Sequence, residues 1–206
     1  MLFPLIFRPR ESYHEPPRSF GAPRDGGARK HAGCDLYAAV GTPMRAVADG
    51  VVLNFYHFFR DTWALEVDHG SFIVRYGEIQ QDLAPGVRIG HPVKEGQQLG
   101  TVGRLTGLAV SMLHFEMYDG SATGALTDRN RPPFQRRRDL IDPTGPLDEA
   151  ELTVGAGTGA VMAGLAAGAV AGAVAGAIVG AAVAGGLSTG GWTPATTTGV
   201  PPGTAD

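Results

Sequence analysis

The chain has one cysteine, Cys34, in 206 residues. A single cysteine excludes a disulfide framework and the Cys-rich zinc modules. There is no surplus of positive charge either. Lys plus Arg is 17 and Asp plus Glu is 20, a formal net charge of −3, so no nucleic-acid partner is expected. From Leu152 to Ala205 there is no Asp, Glu, Lys, Arg or His, so every charge except Asp206 lies in residues 1–151. Between residues 40 and 120 no apolar stripe of helical period is seen. What is plentiful is glycine, 31 residues, and proline, 15, a share that points to biased sequence in part of the chain.

The first 150 or so residues are long enough to bury a core. Met1–Phe7 is apolar but short. No basic residue precedes it and no small-residue cleavage site follows, so residues 1–17 read as a first strand or tether rather than a secretory signal. Residues 11–34 are loop-like, with Pro16-Pro17, Pro23 and Gly26-Gly27. Strands follow. Ala46–Phe55 is rich in Val and aromatic residues, and Ala64–Val67 and Phe72–Tyr76 flank Asp68-His69-Gly70-Ser71 as a hairpin. Glycine-punctuated short strands occupy 86–100. Val110–Tyr118 alternates, with Met112, His114 and Glu116 on one face and Leu113, Phe115 and Met117 on the other. The expected fold is all-β, a mostly antiparallel set of short strands closing in a barrel-like way over residues 18–147. Arg136-Arg137-Arg138 reads as a solvated surface cluster rather than a nucleic-acid site.

Beyond the boundary near Asp148–Glu151 a different rule holds. Gly164, Gly168, Gly172, Gly176 and Gly180 recur every four residues in an apolar segment placed at 152–188. On a helix this makes a smooth, slowly drifting stripe, a glycine-zipper-like pattern. The uncharged run Val161–Leu187 is longer than the roughly 20 residues that span a bilayer core. Membrane association or self-association through this run is favoured over a flexible Ala/Gly linker, because a random linker keeps no four-residue register. Residues 189–206, rich in Thr, Pro and Gly, read as a disordered tail.

The chemistry sits in the first part. His31 and Asp35 lie four apart, an even spacing that puts both on one face of an extended strand; Gly33 between them argues against a helix. His114 stands on the polar face of an alternating strand. Two imidazoles and one carboxylate form a three-ligand set for catalytic zinc, with a fourth position left for water. Glu116 shares the His114 face and suits a supporting role, accepting from a ligand's second nitrogen. Cys34 points to the opposite face and reads as packed.

The order of motifs goes further. Arg18-Ser-Phe-Gly-Ala-Pro-Arg24, His31-Ala-Gly-Cys-Asp35, Gly41–Val51, Val67-Asp-His-Gly70, Tyr76-Gly-Glu78, Val93–Gly100 and Leu113-His-Phe-Glu116 follow one another. Residues 18–118 thereby resemble the lysostaphin/LytM-type zinc endopeptidases, which cut peptide cross-bridges or stems of bacterial peptidoglycan. The resemblance implies a mostly antiparallel β fold with a groove over the metal, a Zn2+ cofactor, and His31, Asp35 and His114 as its ligands. Tyr76, Met112 and His57 are then candidates for the groove walls, with a packed or edge position favoured for His57.

Two positions depart from the family pattern. Met112 stands where the first histidine of the usual His-x-His is expected, and Glu78 where a histidine follows the tyrosine of the usual Tyr-x-His-Leu. Glu78 reads as the replacement proton acceptor or, alternatively, as a solvated strand-end carboxylate. Met112 does no proton chemistry. His69 reads as a turn residue, and His14 and His91 as exposed. The expected function is zinc-dependent hydrolysis of peptidoglycan peptides, in the periplasm or cell wall, as an antibacterial effector delivered by a specialised secretion machine. The alternative is a catalytically impaired zinc- or peptide-binding module of the same fold. A carrier-domain reading of Val93–Gly100 is weaker, because no hairpin-tip lysine is present in a suitable setting.

Overall fold

Strands of two to ten residues, separated by glycine and proline turns, build the domain. The computed structural model describes residues 1–152. In chain order the strands are β1 Pro23–Arg24, β2 Arg29–Lys30, β3 Cys34–Tyr37, β4 Pro43–Arg45, β5 Gly50–Phe59, β6 Thr62–Asp68, β7 Ile73–Ile79, β8 Pro92–Val93, β9 Gln98–Thr101, β10 Met112–Tyr118 and β11 Leu140–Ile141. One short helix, α1 Thr144–Glu149, and a 3-10 turn at Asp25–Gly27 are the helical elements among the described residues.

The main sheet runs β11-β10-β7-β6-β5-β8, and β3 pairs with β10 as well. Every strand pair is antiparallel. The hairpin of β6 and β7 turns through His69, whose backbone N–H donates to the Phe72 carbonyl at 2.9 Å. The β5 strand starts four residues later than the sequence pattern suggests and continues to Phe59. Leu36, Leu65, Val67, Val74, Tyr76, Leu113 and Phe115 interleave on one sheet face with Phe3, Leu5, Met44 and Leu99 to form the core.

Among residues 1–17, expected as a first strand or tether, no strand forms. Prolines at 4, 9, 16 and 17 deny them a ladder, and Leu2 makes only a single parallel bridge, to Glu151. Their apolar side chains need cover, so Leu2, Phe3 and Leu5 are buried in the core. Arg8 clamps the other end, donating to the carbonyls of Leu147, Asp148 and Ala150 at 2.8–3.0 Å. The domain therefore closes on both of its ends. The segments expected at 152–188 and 189–206 lie outside the described residues, apart from Leu152. Among the described residues no helix is long and apolar enough to cross a membrane.

Candidate metal centre

The β3–β10 register sets Asp35 directly opposite His114. Such cross-strand neighbours share a face about 5 Å apart. His31 lies just upstream of β3, and Gly33 lets the chain pass close to β10. A Cβ at Gly33 would meet the Phe115 carbonyl oxygen at 2.3 Å. The three donor atoms converge. His31 Nε2 is 3.0 Å from Asp35 Oδ1, His114 Nδ1 is 2.9 Å from the same oxygen, and the two ring nitrogens are 3.1 Å apart. All three residues are buried.

The far nitrogens are already committed. His31 Nδ1 lies 2.9 Å from the Ser19 carbonyl oxygen, and His114 Nε2 lies 2.8 Å from Glu116 Oε1. A carbonyl and a carboxylate only accept, so each far nitrogen donates and each near nitrogen presents a lone pair when its ring is neutral. Two lone pairs and a carboxylate oxygen aimed at one point repel unless a cation or proton lies between them. Zinc held at 2.0–2.1 Å in a tetrahedral site sets its ligands roughly 3.3 Å apart. The donor triangle here is close to that size, so these residues fit a zinc ion.

The electrostatics match a cation-binding centre. Burial alone would raise the Asp35 carboxyl, but its close contacts with His114 and His31 outweigh it and hold the group well below the usual carboxylate range. Burial lowers His31. Burial would lower His114 too, yet the hydrogen bonds to Asp35 and Glu116 push it up to about 9. A metal ion thus competes with a proton for Nδ1 of His114.

Glu116 is the keystone behind His114. It is fully buried, and burial alone would raise its carboxyl; Arg75 and Arg136 hold it well below the usual range. Arg75 donates to Oε2 at 2.7 Å, Tyr118 donates to Oε2 at 2.5 Å, and Arg136 reaches both oxygens at 2.7–3.0 Å. Arg75 also pairs with Glu66 at 2.9 Å. The Arg136–Arg138 run is therefore not a solvated cluster. Arg136 serves Glu116, and Arg137 forms a two-point pair with Asp139 at 2.7 and 2.8 Å, because a buried guanidinium needs a carboxylate. Only Arg138 of the three is exposed.

Glu78 sits at a break in β7. Between Trp63 and Leu65 on β6 the register slips, so that Ile79 pairs with Trp63 while Tyr76 pairs with Leu65. One extra residue is accommodated in β7, and Glu78 takes a left-handed φ of 62°. Strict alternation from Tyr76 would have put Glu78 on the core face. Instead the charges of His114, Asp35 and Arg24 act on its carboxyl. Burial dominates and pushes it up to about 7. Its Oε2 is buried with no hydrogen-bond partner among the described residues.

The other expected positions sort by strand face. Met112 is buried two residues before His114 on the same face. Tyr76 is not a groove residue. It lies opposite Phe115, is fully buried, and its hydroxyl accepts from the Val47 N–H at 3.1 Å, so it belongs to the core. His57 is not at the centre either. Its ring sits edge-on to Trp63, while its neighbour Phe58 stacks over His114 at 5.8 Å, because adjacent strand residues face opposite ways. Cys34 is buried in the core, its sulfur 3.5 Å from the Thr144 hydroxyl. His69 fixes its turn, with Nδ1 3.0 Å from the Asp49 carbonyl oxygen. Sequence reasoning missed Phe58, Arg75, Arg136 and Arg24, the last 3.0 Å from Asp35 Oδ2. Arg24 lay within a quoted motif stretch, but no spacing rule singles it out.

The antiparallel β domain thus carries a buried His-Asp-His cluster whose donor atoms could hold a metal ion. Residues 29–126 match the model of Peptidase family M23. The chain is similar to peptidoglycan DD-endopeptidase ShyC of Vibrio cholerae serotype O1, 35% identical over 114 residues, which are 55% of this chain and 25% of that one. It thus spans about a quarter of the length of that relative. Among solved structures, CbpA from L. salivarius REN superposes with a TM-score of 0.51 at 17% identity, covering 71% of this chain and 95% of the other, a likeness of fold. Lysostaphin from Staphylococcus simulans gives a TM-score of 0.48 at 20% identity over 68% of this chain and 52% of the other.

Proposed function

We propose that this chain is a zinc-dependent endopeptidase that hydrolyses peptide bonds in bacterial peptidoglycan. The observation that carries it is the triad itself, in which both far imidazole nitrogens are tied to acceptors and both near ones are left to face Asp35. The match to a peptidase family model and the similarity to a peptidoglycan DD-endopeptidase support the substrate class. Zinc bound by His31, Asp35 and His114 would supply a Lewis acid that polarises a peptide carbonyl and acidifies water. The chain does the rest. The Ser19 carbonyl and Glu116 hold the two imidazoles in orientation. Phe58 covers one face of His114 and keeps water off it. Glu78 takes a proton from the attacking water at Oε2 and returns it to the leaving amine, a task suited to a carboxyl poised near neutrality.

The test joins metal analysis to digestion of purified peptidoglycan, with products read by mass spectrometry. Stoichiometric zinc and new peptide ends are expected. Glu78→Gln should keep zinc and lower turnover by roughly 10²–10⁴-fold. A second reading, a catalytically impaired zinc- or peptide-binding module, draws support from Met112, a side chain with no proton to give at a position beside His114. If the native chain cleaves nothing while the Glu78→His/Met112→His double variant does, that second reading holds. Action in the periplasm or cell wall, delivery by a specialised secretion machine, and membrane association or self-association through Val161–Leu187 belong to the same proposal. Comparing the full chain with one ending at Leu152 in culture medium and in recipient cells tests them.

A further inference from the structure

A cavity of about 270 Å³ is walled entirely by residues outside the family-matched stretch 29–126. It is lined by Phe20, Arg131, Phe134, Arg136, Arg137 and Arg138, with Pro132 and Leu140. Phe20 and Phe134 stack at 4.8 Å and make an aromatic wall. Four arginines line a space that has no carboxylate among its lining residues. Two of them are spoken for, Arg136 by Glu116 and Arg137 by Asp139. Arg131 and Arg138 are exposed and form no ion pair among the described residues. The pocket therefore keeps about two uncompensated positive charges against a partly apolar wall.

Its position ties it to the centre at three points. Phe20 follows Ser19, whose carbonyl accepts from His31. The Lys30 N–H, one residue before His31, donates to the Pro133 carbonyl at 2.9 Å. Arg136 grips Glu116, which holds His114. The walls of the pocket thus touch or directly adjoin the segments that carry His31 and His114.

We propose that this pocket is a carboxylate-binding subsite, which selects an acidic peptide whose free carboxylate docks between Arg131 and Arg138 while the chain beside it crosses the metal centre. The proposal rests on the peptidase reading for the identity of its ligand. Planar guanidiniums receive a carboxylate through paired N–H donors, and the aromatic wall suits the aliphatic stem that carries it. An amidated peptide offers the same shape without the charge, so the subsite discriminates by charge rather than by size.

The experiment uses the full zinc-loaded chain and two fluorescein-labelled peptidoglycan stem peptides, one with its carboxylates free and one with them amidated. Affinity is read by fluorescence anisotropy and cleavage by mass spectrometry. The native protein should bind the acid form about tenfold more tightly than the amide. Arg131→Ala/Arg138→Ala should bring that ratio close to one, and Arg131→Lys/Arg138→Lys should restore part of it. Both residues are exposed, so an unchanged melting temperature verifies the fold. A native protein without preference, or a double-alanine variant that keeps it, overturns the subsite. So does tighter binding of inorganic phosphate than of the acid peptide. Failure of the native chain to cut either peptide tells against the peptidase reading alone, because the binding ratio is measured without turnover.

Discussion

Replacing Glu78 by glutamine should make the metal-free domain more stable, and only above a certain pH. The carboxyl is buried in a bulge with one oxygen unpartnered, and burial raises it from 4.5 to about 7. A group that binds its proton more tightly when folded stabilises the fold in acid and loses that contribution as pH rises. The folded state holds more protons than the unfolded one between 4.5 and 7, so stability falls with pH through that window and the penalty is complete above 7. At about 1.4 kcal/mol for each factor of ten in proton affinity, the ionised carboxylate costs roughly 3 kcal/mol. Glutamine cannot ionise. Urea unfolding of the EDTA-treated native chain and of Glu78→Gln, at intervals from pH 4 to 8.5, should therefore give a stability difference that grows by about 3 kcal/mol in the variant's favour. Groups common to both proteins cancel, and any fixed cost of the amide is independent of pH. Saturating zinc should narrow the gap, because a nearby cation stabilises the ionised form. A difference that stays flat with pH would show that Glu78 is solvated, and its role as proton carrier would fall with it.

Zinc uptake at pH 7 should release about one proton, because His114 is pushed up to about 9 and must give up its Nδ1 proton to a metal. Calorimetry in buffers of different ionisation enthalpy measures it, and His114→Ala should abolish both the proton and the binding. Gly33→Ala should cost at least about 3 kcal/mol and strip the metal, because the new methyl meets backbone atoms of Phe115 at 2.3 and 2.9 Å; urea unfolding and zinc content report it. Arg136→Ala should destabilise by about 1–3 kcal/mol in urea, since Arg75 still pairs with Glu116 but three of its hydrogen bonds are gone.

Local rules read the strands well and the buried charge badly. The alternation of Met112–Met117 and the turn at Asp68–Ser71 are visible because side-chain period and turn chemistry are properties of adjacent residues. His31, Asp35 and His114 could be singled out as a donor set, but their meeting depends on the register of β3 on β10, which no spacing within either strand encodes. The bulge that redirects Glu78 has no glycine at the left-handed position to announce it. Alternation from Tyr76 therefore gives the wrong face. Tyr76 itself looked like a groove residue only through its motif, whereas its pairing with Phe115 commits it to the core. The arginine run misled for a different reason. Runs of like charge are usually solvated, and the carboxylate that draws Arg136 inward stands 20 residues upstream on another strand.

The charge buried behind His114 explains why the pattern had to fail there. A carboxylate such as Glu116, fully buried, is costly unless its lone pairs are filled. Arg75, Arg136 and Tyr118 fill them from three different parts of the chain, so the carboxylate stays ionised and its remaining capacity falls on His114 Nε2. An apolar residue at 116 would spare that cost and let the imidazole rotate. The network instead fixes which nitrogen faces Asp35, raises the basicity of the ring, and couples the 131–138 loop to the centre. That loop gives one arginine to the support of His114 and, in our reading, two to the substrate. The same short segment would then report ligand charge directly to the metal-ligand side of the sheet through the Arg136–Glu116–His114 chain.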